Sequence, residues 1–162
     1  MAENSHISDQ QHLEGYVVPP LSKEEIKEYA KPYLDFWNRN DLGRFNPLLF
    51  LDTLYTLIDK DFSLVSKSKD QMGSLLGLAT PAKNLIEIRE DVYYRALEGS
   101  HEAQLVIAHE FGHFCMHQNI RFPKLADEST PNEQSAEWQA NYFADVLMGL
   151  DSQPIQMELF GE

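Results

Sequence analysis

The segment "LVIAHEFGHFCMHQ", residues 105–118, constrains this chain more than any other. Three histidines, His109, His113 and His117, recur at every fourth position in an otherwise apolar run. On a helix that advances about 100° per residue, Leu105, Ile107, Ala108, Phe111, Gly112, Phe114, Cys115 and Met116 cover most of the circumference. The segment therefore reads as a central helix, from His101 to about Gln118, buried on nearly every side. His109, Glu110, His113 and His117 share the sector that remains. Burying a polar group without a partner costs roughly 2–7 kcal/mol, so this sector needs partners inside the fold.

A bound cation is a specific solution. His109 and His113 stand one helical turn apart on one face, so both imidazoles can reach a single ion. Glu110 sits beside them, placed to act on water next to that ion rather than to bind it. This is the H-E-x-x-H pattern of zinc sites. Two imidazoles leave a third protein ligand to be found. The longer pattern with glycine and a third histidine fails, because Met116 and Asn119 hold those positions. His117 lies a turn too far along the axis and reads as a supporting or surface residue. The last helix is the better source. Its apolar stripe is Ala136, Ala140, Phe143, Ala144 and Leu147, and Glu137 lies at the edge of that stripe, leaning inward. Asn141, one turn on, can hydrogen-bond a ligand histidine. Glu137 is the preferred third ligand, which makes a two-histidine, one-glutamate site of the thermolysin kind. Glu133 is the competitor, although a capping role already occupies it; Asp127, Glu128 or another histidine stay open.

The other elements follow from local signals. Residues 1–20 are polar, end in "VVPP" and read as a flexible tail or a strap. In "LSKEEIKEYAKPYLDFW", Ser22 and Glu25 form a capping box, and Ile26, Tyr29, Ala30, Tyr33 and Leu34 form a helical stripe that Pro32 can kink. "NPLLFLDTLYTLID" is a second helix, capped by Asn46 with Pro47 in its first position. Between Asp61 and Gly99, "FSLVS", "SLLGLA" and "LIEIRE" predict a sheet of about three strands. The last helix opens at "TPNEQSAEW", with Thr130 as cap, Pro131 first and Glu133 closing the box, and runs to about Gly149. One domain is expected over 21–150, with residues 151–162 as a short tail. The fold class is α+β: a mainly helical, zincin-like domain whose small sheet packs on the histidine helix.

Two helices together carry a resemblance. "VIAHEFGH" followed by "EWQANYFADVLM" resembles the ImmA/IrrE family of metallopeptidases, whose A-H-E-x-G-H helix precedes an E-x-x-A-N-x-F-A helix. The likeness runs from about Leu75 to Met148. It implies Zn²⁺ as cofactor and puts Glu137 where the family has its third ligand. It also implies a protein substrate, commonly a helix-turn-helix repressor or regulator, in settings such as mobile elements, stress responses or toxin–antitoxin pairs. The sequence departs from the pattern at Gly149, where the family often has proline, and shows no DNA-binding or sensor domain beside the motif.

The expected chemistry is peptide hydrolysis, with His109, His113 and Glu137 on zinc and Glu110 as general base. Tyr93, Tyr94, His101, His117 and Tyr142 are the candidates for stabilising the oxyanion. The "LIEIRE" strand is a candidate edge for pairing with an extended substrate. Gly112 costs a helix about 1 kcal/mol against alanine, which points to close approach by a neighbouring element. Cys115 and Trp138 read as packing residues. The alternative is a binding module that keeps the zinc fold and controls its partner by contact; an intact Glu110 favours the enzyme. The net charge of −13, from 13 basic and 26 acidic residues, argues against nucleic acid or an anionic membrane as partner and suits a protein with a basic face. Cys115 is the only cysteine, which excludes an intrachain disulfide and fits a reducing cytoplasm. The first residues lack the basic and apolar blocks of a signal peptide, and no apolar run approaches the roughly 20 residues that span a bilayer.

Overall fold

The structure, a computed structural model, describes residues 15–53, 55–118, 120 and 124–151. Strand β1 (Tyr16–Val17) leads to helix α1 (Lys23–Arg39). Ser22 caps α1 by accepting from the Glu25 amide, while the Glu25 carboxylate accepts from the Ser22 amide, both at 3.1 Å. The helix continues through Pro32, whose ring lies on the exposed side. Helix α2 (Pro47–Thr53) starts where Asn46 Oδ1 accepts from the Leu49 amide at 3.0 Å. It is shorter than "NPLLFLDTLYTLID" predicts, and a 3₁₀ turn follows at Tyr55–Leu57.

Strand β2 (Ser63–Lys67), the single turn α3 (Lys69–Met72), strand β3 (Gly77–Thr80) and strand β4 (Leu85–Arg89) make the expected three-stranded sheet. Its order is β2-β4-β3, with β2 parallel and β3 antiparallel to β4. Alternation in β4 sends Ile86 and Ile88 into the core, both fully buried. The "LIEIRE" strand is therefore the middle of the sheet, with a neighbour on each side, and cannot be the edge that the sequence suggested. That edge is β3. Helix α4 (Glu90–Leu97), which the sequence reading did not anticipate, follows β4 directly and buries Val92 and Ala96.

Helix α5 (His101–Met116) is the centre of the molecule and packs against α2, α4, β3, β4 and the last helix. Its back carries Phe111, whose ring meets Tyr33, Phe50 and Phe143 at centroid distances of 4.9, 5.9 and 5.6 Å. Burying one such ring contributes about 1.5–3 kcal/mol. Strand β5 (Lys124–Leu125) pairs with β1, and helix α6 (Ala136–Leu147) closes the core with Ala140, Phe143, Ala144 and Leu147. The start of α6 corrects the sequence reading. Ser135 is the cap, accepting from the Trp138 amide at 3.2 Å, while Asn132–Gln134 form a separate 3₁₀ turn. Thr130 instead accepts from the Asp127 amide.

The reason lies in the N-terminal segment. Val18 and Leu21 donate their amides to Gln134 O and Glu133 O, at 2.8 and 3.0 Å, and Val17 bridges to Ser135. These bonds hold Ser135 extended (φ −97°, ψ 121°), so the α-helix starts after it. Residues 15–20 thus form a strap laid over the start of α6. Residues 1–14 and 152–162, most of the two expected tails, lie outside the described residues.

Candidate metal centre

The first turns of α6 cross α5 beside its second half. Gly112 allows that approach: a Cβ there would stand 3.1–3.2 Å from the Cβ and ring of Phe143. This crossing brings a carboxylate to the histidines. His109 Nε2 lies 3.4 Å and His113 Nε2 3.8 Å from Glu137 Oε2. The two Nε2 atoms are 3.1 Å apart. One ligand atom from each of the three residues falls within 4.8 Å of the others, close enough to share one metal ion. Glu133, Asp127 and Glu128 are not part of such a group, and His117 stands behind His113.

The protonation pattern suits a cation. His109 Nδ1–H donates to Asn141 Oδ1 at 2.7 Å, which leaves the Nε2 lone pair facing Glu137. Burial holds His113 neutral, its pKa down at about 4, with His109 and His117 acting in the same direction against the pull of Glu137. Burial opposes the charge on Glu137, but the influence of the neighbouring His109 and His113 outweighs it and holds the carboxyl at about 2. Neutral imidazoles and an ionised carboxylate are the forms that bind zinc. The donor set of two nitrogens and one oxygen fits that metal.

Glu110 is 3 % exposed and one residue from His109. It reaches the cleft because β3 begins with glycine. A Cβ on Gly77 would lie 2.7 Å from Glu110 Cγ and 3.1 Å from Ile88 Cδ1. The cleft has a volume of about 370 Å³. His109, Glu110, Glu137 and Asn141 form its floor, and Leu75, Leu76, Leu105 and Val106 are among its walls. Arg89 steadies one wall: it pairs with Asp91 through two bonds, at 2.7 and 3.0 Å, and donates to Gly73 O at 2.6 Å.

The model of the peptidase family M78, described as the IrrE N-terminal-like domain, matches residues 64–149, more than half of the chain. The chain belongs to this family. Comparison with curated proteins and with solved structures finds no match. The family is one of metallopeptidases. The matched region begins at β2 and ends just past α6, so it holds the whole cleft and omits the strap, α1 and α2.

Within this M78 domain, the five oxyanion candidates all lie off the cleft. Tyr93 donates to Asp52 at 2.9 Å, Tyr94 is exposed, and Tyr142 stacks on Trp138 beneath the Lys23 ammonium. His101 opens α5 at the far end from the motif, and His117 is buried behind His113. Cys115 faces Tyr33 at 3.8 Å, and burial pushes its thiol up to about 12. Two residues escaped the sequence reading: Gly77 and Gln139. Gln139 did leave a signal, since it falls between Ala136 and Ala140 inside the apolar stripe, where an amide needs buried partners. No helix among the described residues is long and apolar enough to cross a membrane.

Proposed function

We propose that this chain is a zinc-dependent endopeptidase that hydrolyses one peptide bond in a specific protein partner. The observation that carries the reading is the buried Glu110 side chain, let in by Gly77 beside the two imidazoles and an ionised Glu137. His109, His113 and Glu137 would hold the ion. A zinc ion so held supplies Lewis acidity toward the scissile carbonyl and lowers the pKa of water. Glu110 takes the proton of the attacking water as its oxygen bonds to the carbonyl carbon. It then returns that proton to the amide nitrogen as the C–N bond breaks. Asn141 keeps His109 in the tautomer that faces the cleft.

Strand β3 supports an extended substrate. Arg89 donates its amide to Leu76 O at 3.0 Å, so antiparallel alternation turns the peptide groups of Gly77 and Ala79 away from β4. Gly77 itself lines the cleft, so a peptide paired along this edge would pass Glu110. The partner we favour is a helix-turn-helix repressor or regulator, by resemblance to the family and because a net charge of −13 suits a partner with a basic surface. The test is co-expression with that regulator. Cleavage by the wild type, with none by Glu110→Gln at unchanged zinc content, is the expected result. Regulation of the partner that persists uncut in Glu110→Gln would favour a contact-only module.

A further inference from the structure

His113 has a second face, which neither binding nor catalysis accounts for. Its Nδ1 lies 2.9 Å from His117 Nδ1, and His117 Nε2 lies 2.8 Å from Gln139 Oε1. The Gln139 amide nitrogen donates to Pro19 O at 3.0 Å and to Glu133 O at 2.7 Å. His117 is 4 % exposed and Gln139 0 %. Both carbonyls can only accept, so they dictate which end of the Gln139 amide carries nitrogen. The amide oxygen is thereby aimed at His117, which must answer with Nε2–H. A neutral His117 then has its lone pair on Nδ1. His113 must donate Nδ1–H to it, and the His113 lone pair is left on Nε2, facing His109 and Glu137.

We infer that His117 and Gln139 are positioning residues that fix the tautomer and ring orientation of His113, and that the strap's Pro19 carbonyl is one anchor of this relay. The inference rests on the metal reading for its purpose, though not for its geometry. It extends the centre beyond the matched family region, because Pro19 precedes residue 64. It also gives the strap a task besides covering the start of α6: the strap helps decide which nitrogen of a ligand faces the cleft.

Two measurements test it. The first is the ¹⁵N–¹H correlation spectrum of the histidine rings at pH 8, recorded on the full chain prepared with zinc. His117 should appear as the neutral Nε2–H tautomer; an Nδ1–H tautomer would overturn the relay. This holds whether or not zinc is retained. The second compares His117→Phe with His117→Asn by competition for zinc ion against a chromophoric chelator. Asparagine can place Oδ1 near the position of Nδ1 and accept from His113, whereas phenylalanine keeps the bulk and accepts nothing. Zinc affinity should fall about 10–100-fold in His117→Phe and stay within about threefold of wild type in His117→Asn, the range typical of lost and kept ligand support. The reverse order, or equal losses, would make His117 a packing residue and sink the proposal. Gln139→Leu should weaken zinc as His117→Phe does and abolish the single His117 tautomer; an unchanged spectrum would remove Gln139 from the relay. Failure of the wild type to bind zinc at all would count against the metal reading, while the His117 spectrum would still decide the relay.

Discussion

Gly77 and Glu110 depend on each other at the scale of single side chains. The 2.7 Å separation between a hypothetical Cβ and Glu110 Cγ means that Gly77→Ala must displace the carboxylate. We expect kcat to drop at least tenfold while the fold survives, read by peptide cleavage alongside a melting curve. Replacing Glu110, the proposed proton carrier, by glutamine should cost about 10²–10⁴ in rate. Glu137→Ala should weaken zinc by more than Glu133→Ala in chelator competition, and the opposite order would reassign the third ligand. The pKa of His113 makes a prediction about acid. Its folded value of about 4 lies below the ordinary value near 6.5, so between those limits the unfolded chain binds more protons. Stability of the metal-free protein should therefore be intact above pH 6.5 and fall by about 3 kcal/mol on going to pH 4. Urea titration across that window checks it. Glu137, held low, deepens the loss as the pH drops further through the range from 4.5 to about 2.

The pairing of α5 with α6 depends on a glycine on one helix and an aromatic ring on the other. Gly112→Ala improves helix propensity by about 1 kcal/mol but drives a methyl to 3.1–3.2 Å from Phe143. That ring is fully buried against Phe111 and cannot swing away, so overpacking of about 1–3 kcal/mol should prevail. A lower urea midpoint and weaker zinc binding are expected together, because the same crossing carries Glu137. Ser135→Ala removes the cap of α6 and should cost about 0.5–2 kcal/mol in the same assay. The sequence made the helices and the strands of the sheet readable through period and capping signals. It misplaced the cap of α6, since Thr130, Pro131 and Glu133 present a sound local motif. The strap's bonds to Glu133 and Gln134 override that motif, and no local rule contains them.

For the molecule as a whole, the negative charge and the metal have separable consequences. A net charge of −13 should steer a basic partner, with an association rate that falls roughly tenfold or more from low to high salt. Stopped-flow mixing with the proposed regulator would measure it, and a rate indifferent to salt would argue for a neutral docking face. Zinc held as proposed, by residues from two helices, would bind the folded state alone, so saturating zinc should raise the melting temperature and a chelator should lower it. A large shift is expected because α5 and α6 hold much of the core between them.

Spacing alone settled that His109 and His113 share a helix face, that Glu110 stands beside them, and that Glu137 leans inward from the last helix. Those relations are periodic, and a helix repeats them wherever it lies. The tertiary structure decided the rest: that Glu137 meets the two imidazoles, that β3 rather than β4 borders the cleft, and that Gly77 makes room for Glu110. It also joined His117, which the sequence marked as a supporting or surface residue, and Gln139, a polar residue inside an apolar stripe, into a connected pair anchored at Pro19. Contacts between residues 19, 117 and 139 arise when distant segments close around one core. No repeat within any single element encodes them.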